Sequence, residues 1–310
     1  MNIPPIYIET FKSGRLASKR KAAYETLRFC TLCPRKCGVD RLSEATGICR
    51  TGHKALVSSC NPHFGEEAPL VGRHGSGTIF FTHCNLRCTF CQNYEISHEG
   101  CGEEVTGDEL AQAMLALQEA GCHNINFVTP SHVVPQILSA LETAVPSGLN
   151  VPLVYNTSLY DSVDTIRLLE GVFDIYMPDF KFWDPAVAEK TCRAKDYPEV
   201  ARKALEEMHR QVGDLIIDDS GIARRGLLIR HLVLPNGLAG TPQVMRFIAD
   251  RISTGSYVNI MSQYRPCGRA WEIPELSAAP ARKEYEAALL AAKEAGITRL
   301  DRPRRAFALR

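Results

Sequence analysis

Residues Gly75–Glu95 read GSGTIFFTHCNLRCTFCQNYE, a short apolar run followed by three closely spaced cysteines. The run 78–81 has the aromatic and β-branched content of a buried strand. It leads into Cys84, Cys88 and Cys91, whose spacing is C-x3-C-x2-C. A loop of this length can wrap around a small inorganic group and direct three thiolates at it. The sequence therefore predicts a strand that delivers a three-cysteine metal loop.

Three cysteine ligands, rather than four, indicate an open coordination position. Closed structural zinc sites and ordinary ferredoxin clusters take four protein ligands. A four-iron cluster held by three cysteines keeps one iron free for a substrate or cosubstrate, as catalytic metal sites keep one position open. The alternative interpretation is a zinc loop that takes its fourth ligand from elsewhere, for instance Cys101 or His83.

The octapeptide Cys84–Cys91, CNLRCTFC, resembles the cluster-binding motif of the radical S-adenosylmethionine (radical SAM) superfamily. Phe90 stands where that family has an aromatic residue beside the adenine. The resemblance implies a [4Fe-4S] cluster whose free iron chelates the amino and carboxylate groups of S-adenosylmethionine (SAM). It also implies that an electron from the cluster cleaves SAM to methionine and a 5′-deoxyadenosyl radical, which abstracts hydrogen.

A second group of cysteines precedes this motif, with the spacing C-x2-C-x3-C-x11-C. Four thiolates at such spacing could close a tetrahedral zinc site or hold an auxiliary iron–sulfur cluster, and the sequence favours neither over the other. Prolines and glycines between the cysteines suit tight turns. Cys60 could replace one of the four. The four predicted ligands are Cys30, Cys33, Cys37 and Cys49.

Composition and charge limit the classes of function. The chain has 310 residues and a formal net charge of +1, which gives no electrostatic reason to bind nucleic acid or an anionic membrane. No apolar run approaches the roughly 18 residues of a membrane span, and the N-terminal segment has no signal-peptide core. We therefore expect a cytoplasmic protein with no nucleic-acid and no membrane partner. In such a chain the clustering of twelve cysteines favours metal binding over disulfides.

Downstream of the motif, apolar strand patterns alternate with helix patterns, which is typical of parallel βαβ units. The expected strands are 78–81, 124–128, 151–155, 172–177, 227–234 and 257–261. The expected helices are 11–29, 108–120 after a capping-box pattern at Thr106 and Glu109, 132–144, 161–170, 185–212 with an interruption near Pro198, 242–253 and 281–295. Six strand–helix units predict an α/β fold with a partial (β/α)6 TIM-like barrel, smaller than the closed eight-stranded barrel.

The expected domain organisation has three parts. Residues 1–73 form an N-terminal helix and a cysteine-rich metal-binding module, residues 74–270 form the partial barrel, and residues 271–310 form a C-terminal helix and tail. Pro and Gly predict a loop over 61–70, NPHFGEEAPL. Its two carboxylates and one histidine are side chains that can take part in acid–base chemistry.

Polar side chains follow the expected strands, at the end where parallel barrels keep their chemistry. Arg230 and His231 lie within the fifth strand, so at least one should point into the barrel, where a charge needs a partner. The polar pairs at the strand ends are Ser131 and His132, Asn156 and Ser158, Asp179 and Lys181, and Gln263 and Arg265.

The resemblance extends over nearly the whole chain. Within radical SAM proteins the sequence is similar to the pyruvate formate-lyase-activating-enzyme-related group, and most to its branch usually called PflX. The segments that carry this likeness are CTLCPRKCGVDR, NPHFGEEAPL, NINFVTPSH, YNTSLYD, DIYMPDFKF, LLIRHLVLP and MSQYRP. The implied SAM contacts are Thr129 to Ser131 with the amino group, Asn156 and Ser158 with the ribose, Asp179 and Lys181 near SAM, and Arg230 with the carboxylate.

Two features depart from typical activating enzymes. The segment 129–132, TPSH, stands where those enzymes have Gly-Gly-Glu, and the additional cysteines precede the main motif instead of following it. We therefore expect a radical SAM enzyme that acts on a protein or peptide and takes its electron from a donor such as flavodoxin or ferredoxin. The alternatives are a radical SAM enzyme acting on a small molecule, and a non-enzymatic iron–sulfur electron carrier or redox sensor.

Overall fold

The computed structural model describes residues 3–43 and 45–301, and the predicted tail 302–310 lies outside them. Two helices come first, α1 (Ile6–Lys12) and α2 (Arg15–Glu25). The prediction of one continuous helix over 11–29 is therefore wrong. Gly14, between the two helices, adopts a left-handed conformation with φ of 73°, which glycine tolerates without steric cost and which ends the first helix.

The described residues form a ten-stranded sheet whose middle is parallel. Its spatial order is β10-β9-β8-β6-β5-β4-β2-β1-β3, with β7 paired to β8. The strands are β1 (Ala55–His63), β2 (Ser76–Phe81), β3 (Glu103–Val105), β4 (Ile125–Val128), β5 (Leu153–Thr157), β6 (Ile175–Pro178), β7 (Ile216–Ile217), β8 (Ala223–Leu232), β9 (Tyr257–Met261) and β10 (Arg299–Leu300).

The parallel part of the sheet contains the six predicted strands as neighbours, namely β2, β4, β5, β6, β8 and β9. The α/β fold with a mostly parallel central sheet is therefore confirmed. The path of paired strands ends at β3 and β10 and does not close, which is consistent with a partial TIM barrel. One further parallel strand, β10, extends the sheet beyond β9.

Strand β1 was not predicted, and residues 61–63 belong to it instead of to a loop. It pairs antiparallel with β2 along 57–63 and with β3 only over 55–57. Pro62 lies beyond the stretch that β3 covers, so its missing N–H removes no hydrogen bond on that side. Because β1 pairs with β2, the N-terminal segment shares one sheet with the barrel strands.

The remaining helices flank these strands, and none of the helices among the described residues is both long enough and apolar enough to cross a membrane. At the start of α4, Thr106 and Glu109 form the predicted capping box. The predicted helical region 185–212 is interrupted just before Pro198, as expected, and forms two helices divided by residues 193–196. The helices are α3 (Ala68–Val71), α4 (Gly107–Glu119), α5 (Val134–Ala144), α6 (Val163–Leu168), α7 (Pro185–Cys192), α8 (Tyr197–Val212), α9 (Thr241–Phe247) and α10 (Arg282–Glu294).

Successive side chains along a strand point to opposite faces, and the central strands use this alternation to separate polar from aromatic residues. On one face, Phe127 and Tyr155 pack around Phe173, with ring centroids 5.9 and 4.9 Å from it. On the other face, Asn126 and Asn156 point into the barrel, where both find charged partners. The aromatic layer thus fixes the strands that carry the polar groups.

Candidate active site

A cavity of about 380 Å³ lies at the carboxyl ends of the parallel strands. The three cysteines that follow β2 line it, together with residues from the ends of β4, β5, β6, β8 and β9. Parallel strands bring these ends to one side of the sheet although they are far apart in sequence. The predicted cofactor-binding residues that line the cavity are Phe90, Thr129, Asn156, Ser158, Asp179, Lys181 and Arg230.

The loop that carries the three cysteines is held in a tight, partly left-handed path. His83 and Arg87 have φ of 63° and 56°, and the N–H of Cys91 donates to the carbonyl of Cys88 at 3.2 Å. Burial raises the pKa of Cys84 to about 11. A bound cation reverses this effect, since coordination deprotonates a thiol outright. The loop therefore suits a metal centre better than free thiolates.

Cys192, at the end of α7, is a neighbour of this loop that the sequence analysis did not identify. Its thiol hydrogen bonds with Cys88, and this contact and burial together raise the pKa of Cys88 well above its ordinary value. The carbonyl of the preceding residue, Thr191, accepts from the N–H of Thr89 at 3.0 Å. The end of α7 therefore supports the cysteine loop from behind.

A network of buried charges crosses the cavity floor. The Arg230 guanidinium donates to Asp179 Oδ1 at 2.5 Å, to Asn156 Oδ1 at 2.6 Å and to Glu66 Oε2 at 3.1 Å. Lys181 Nζ donates to Asp179 Oδ2 at 2.9 Å. Burial alone would raise the pKa of Asp179, but Arg230 and Lys181 outweigh it and lower that pKa. Two cations and two carboxylates are thus assembled in one place.

From the sequence, Glu66 is only one of the charged residues of the predicted loop 61–70. In the structure it is a central member of the site. It accepts from Arg230 and from Asn126 Nδ2, the latter at 3.1 Å. The neighbouring Glu67 accepts from Asn259 Nδ2 of β9 at 2.7 Å. The segment 64–68 therefore reaches from the end of β1 across to β8 and β9. Two consecutive glutamates after a glycine are the feature of the sequence that could have indicated this role. The sequence does not predict which distant residues they contact.

Three of the predicted strand-end residues do not line the cavity, namely Ser131, His132 and the exposed Arg265. The hydroxyl of Ser131 lies 3.1 Å from Thr157 Oγ1 and is buried, with 1% of the residue exposed. His132 is a core histidine whose Nε2 lies 2.9 Å from the carbonyl of Thr82, and burial lowers its pKa to about 3. Ser131 therefore contacts the cavity lining through Thr157.

The residues at the cavity fit a cluster with one open position. Cys88 is buried, Cys84 and Cys91 are half-buried, and all three line the cavity, although their side chains are not arranged as a metal-ion site among the described residues. The Ser158 hydroxyl is buried and lacks a hydrogen-bond partner among the described residues. An unsatisfied buried hydroxyl facing a cavity is the kind of group that a bound ligand satisfies. The donor set is therefore compatible with a three-cysteine cluster and an adjacent polar ligand.

The four N-terminal cysteines lie close to one another around a compact turn. The N–H of Cys30 donates to the carbonyl of Val39 at 2.9 Å, and the N–H of Gly38 donates back to Cys30 at 3.1 Å. Cys33 is electrostatically coupled to both Cys30 and Cys49. Within residues 3–43 and 45–301, no group of three or more His, Cys, Asp or Glu side chains is arranged as a metal-ion site.

Cys37 and Arg41 complete the surroundings of these cysteines. The Cys37 sulfur accepts from the N–H of Ile48 at 3.5 Å, next to Cys49. Arg41 Nη1 lies 3.8 Å from the Cys30 sulfur, with 1% of the arginine exposed. Cys60, considered as a substitute ligand, contacts Ala113 on α4 and is electrostatically coupled to Cys122.

Comparison with known proteins agrees with the class of enzyme that this site indicates. The family model of the radical SAM superfamily matches residues 78–217, from β2 through β7. An uncharacterized protein of Methanocaldococcus jannaschii is 32% identical over 290 residues, which cover 91% of this chain and 79% of that relative. The chain belongs to the radical SAM superfamily. Enzymes of this superfamily cleave SAM reductively with an iron–sulfur cluster, and they use a substrate and a one-electron donor.

Proposed function

We propose that this chain is a radical SAM enzyme that abstracts hydrogen from a protein or peptide, in the manner of the activating enzymes that its sequence resembles. One observation carries the proposal: three cysteines and the ends of five parallel strands line a single cavity. An electron carrier needs the cysteines but has no use for a cosubstrate cavity lined with polar groups. The cavity therefore favours the enzyme over a carrier or redox sensor.

In this proposal the cysteine loop holds the cluster and supports the adenosine of SAM. Cys84, Cys88 and Cys91 would be the cluster ligands, and the cluster, when bound, supplies the electron that cleaves SAM. Phe90 would contact the adenine. Its ring is fixed by edge contacts with Phe182 and Tyr264, both at 5.9 Å between ring centroids. A ring held from two sides offers a rigid apolar surface to a flat base.

The polar strand ends would bind the remaining groups of SAM. Asn156 and Ser158 would contact the ribose, and the unpartnered Ser158 hydroxyl supports this assignment. Thr129 would contact the amino group, and Ser131 would act through Thr157. Because hydrogen bonds to Asp179 and Glu66 already hold Arg230, the charges that would meet the SAM carboxylate need little rearrangement when it binds.

The proposed substrate is a protein or peptide because of the size and position of the cavity. At about 380 Å³ it is at the lower end of the roughly 300–1,000 Å³ that hold one drug-sized ligand. SAM and the cluster's open iron must share this space, so the bulk of a substrate would remain outside. An extended segment that reaches in at the open edge of the barrel meets this limit. A small-molecule substrate is the competing candidate.

The proposal also includes two further partners. The electron donor would be a small redox protein such as flavodoxin or ferredoxin. A second metal, as a zinc ion or an auxiliary iron–sulfur cluster, would be held by Cys30, Cys33, Cys37 and Cys49. The buried Arg41 beside Cys30 supports this assignment, because a buried guanidinium needs a negative charge nearby.

The test is SAM cleavage by the anaerobically reconstituted protein with dithionite. We expect 5′-deoxyadenosine from the wild type, none from Cys88→Ala, and an undiminished yield from the matched variant Cys60→Ala, which changes an exposed cysteine. The protein fraction of a cell extract should increase the yield, and protease treatment of that fraction should remove the increase.

Two results would contradict the proposal in different ways. Product from Cys88→Ala equal to that of the wild type would contradict the cleavage mechanism. Stimulation by the protein-free filtrate of the extract, and not by the protein fraction, would instead assign a small-molecule substrate. The two arms therefore test the chemistry and the substrate class separately.

A further inference from the structure

Arg35 lies between the second and third N-terminal cysteines and joins that region to the loop that carries the SAM-cluster cysteines. Its guanidinium donates to the carbonyls of Asn85 and Leu86 at 2.9 and 3.0 Å. It also donates to the carbonyl of Cys192 at 2.8 Å and to that of Arg193. One side chain thus holds four carbonyls, two of them inside the three-cysteine loop and two at the end of α7.

Two further contacts cross the same boundary. Arg87, inside the three-cysteine loop, donates from Nη1 to the carbonyl of Ile48 at 3.2 Å. The Asn85 side chain lies between the two cysteine groups, since its Oδ1 is 3.9 Å from the Cys84 sulfur and it also hydrogen bonds with the Cys33 thiol. Asn85 is fully buried, and its Nδ2 donates to the carbonyl of Tyr160 at 2.6 Å. The two cysteine groups are therefore direct neighbours.

Arg41 is a buried cation that lies directly beside the N-terminal cysteines. The arginine is buried, its Nη2 donates to the carbonyls of Gly52 and His132, and its Nε has no partner. No carboxylate among residues 3–43 and 45–301 forms an ion pair with it, and the sulfur of Cys30 lies 3.8 Å from Nη1. A buried charge needs a counterion, and metal-bound thiolates at Cys30 and its neighbours would supply one.

We propose that Cys30, Cys33, Cys37 and Cys49 hold their metal as an anionic thiolate centre, and that this centre, through Arg35, positions the loop that binds the SAM cluster. The inference rests on the proposed function for the existence of that cluster. Arg35 is a positioning residue, because it contacts loop carbonyls and no cluster ligand side chain. Loss of the N-terminal metal releases the segment 33–37 that carries Arg35, and the cluster loop loses the donors that fix it. Zinc and an iron–sulfur cluster both satisfy this role.

The experiment compares anaerobically purified holoprotein with Cys37→Ala, Arg35→Ala and Arg35→Lys. Metal and sulfide per chain are measured first, and then the rate at which a chelator removes the SAM cluster, followed by absorbance and by the EPR signal of the reduced cluster. Arg28→Ala is the matched control, because Arg28 is an exposed arginine near the same cysteines whose ion pair among the described residues is with Glu25. Circular dichroism shows whether each variant is folded. None of these readouts requires SAM cleavage.

We expect Cys37→Ala to lose the N-terminal metal and keep the SAM cluster, and Arg35→Ala to keep both. Both variants should lose the SAM cluster on the order of 10–100-fold faster than the wild type, as for other changes beyond the direct ligands of a metal. Arg35→Lys should be intermediate, and the Cys37/Arg35 double variant should be no faster than either single one. An unchanged metal content in folded Cys37→Ala, or wild-type cluster loss in Arg35→Ala, would overturn the proposal.

Discussion

Arg230 and Arg41 are both buried guanidinium groups, but they lie among different partners. Arg230, with 15% of its side chain exposed, has ion pairs with Asp179 and Glu66. Arg41, with 1% of the residue exposed, has two carbonyls and a cysteine sulfur around it. Two carboxylates therefore neutralise Arg230, whereas Arg41 has no ion pair among residues 3–43 and 45–301. The two arginines differ in their polar partners and in their burial.

The two cysteine groups differ in the same way. Cys84, Cys88 and Cys91 face a cavity that also exposes an unsatisfied hydroxyl, Ser158. Among the N-terminal cysteines only Cys37 is more than slightly exposed. Catalytic metal sites keep an open position and structural sites close around the metal. The structure shows three cysteines beside a cavity and four cysteines in a packed turn.

The largest expected effect in this comparison comes from removing Arg230, the arginine that has carboxylate partners. Arg230→Met leaves the buried side chain of Glu66 without its cation and leaves Asp179 with Lys181 as its remaining cation. Unpairing a buried charge typically costs about 3–5 kcal/mol of unfolding free energy. Denaturant unfolding under anaerobic conditions measures this loss. Arg282→Met is the control, since the Arg282 side chain is 92% exposed in its pair with Glu286, and no measurable change is expected. Equal stability of Arg230→Met and the wild type would mean that the network is not a single buried unit.

The smallest expected effect distinguishes Ser131 from Ser158, two serines that both follow predicted strands. Ser158→Ala should weaken SAM binding by about two- to tenfold, because a neutral hydrogen bond contributes roughly 0.5–1.5 kcal/mol, and should leave stability nearly unchanged. Ser131→Ala should instead lower stability by about 1 kcal/mol through its lost contact with Thr157 and leave SAM affinity close to that of the wild type. Calorimetric titration and denaturant unfolding of both variants provide the comparison. The reverse assignment of effects would contradict the geometry of the cavity.

Most of the fold could be predicted because its signals are local. Strand β9 was predicted with its observed bounds, and the capping box at Thr106 and Glu109 marked the start of α4. The misses have local causes as well. Gly14 divides a helix whose apolar pattern continues across it. Pro62 concealed strand β1, which tolerates proline there because β3 does not cover that part of it.

The site was less predictable because its contacts join residues far apart in the chain. The polar strand ends could be named, since parallel strands bring their ends together. The sequence could not indicate that Glu66 pairs with Arg230, 164 residues away. Nor could it separate Ser131 from Ser158, because which side chain faces the cavity depends on the local path after each strand. Arg35 carries a linking role that no motif marks.

The central claim is that the three-cysteine cluster has an iron open to SAM. The most direct measurement is the EPR spectrum of the dithionite-reduced protein with and without SAM. The Cys37→Ala variant is used, because it should lack the N-terminal metal and so leave a single centre in the spectrum. We expect SAM to change the g-values of this cluster in Cys37→Ala. In the Cys37→Ala/Ser158→Ala double variant, we expect the change to be absent at low SAM concentration and present at saturating SAM. Identical spectra at saturating SAM would mean that no iron is open to SAM, and would contradict the account.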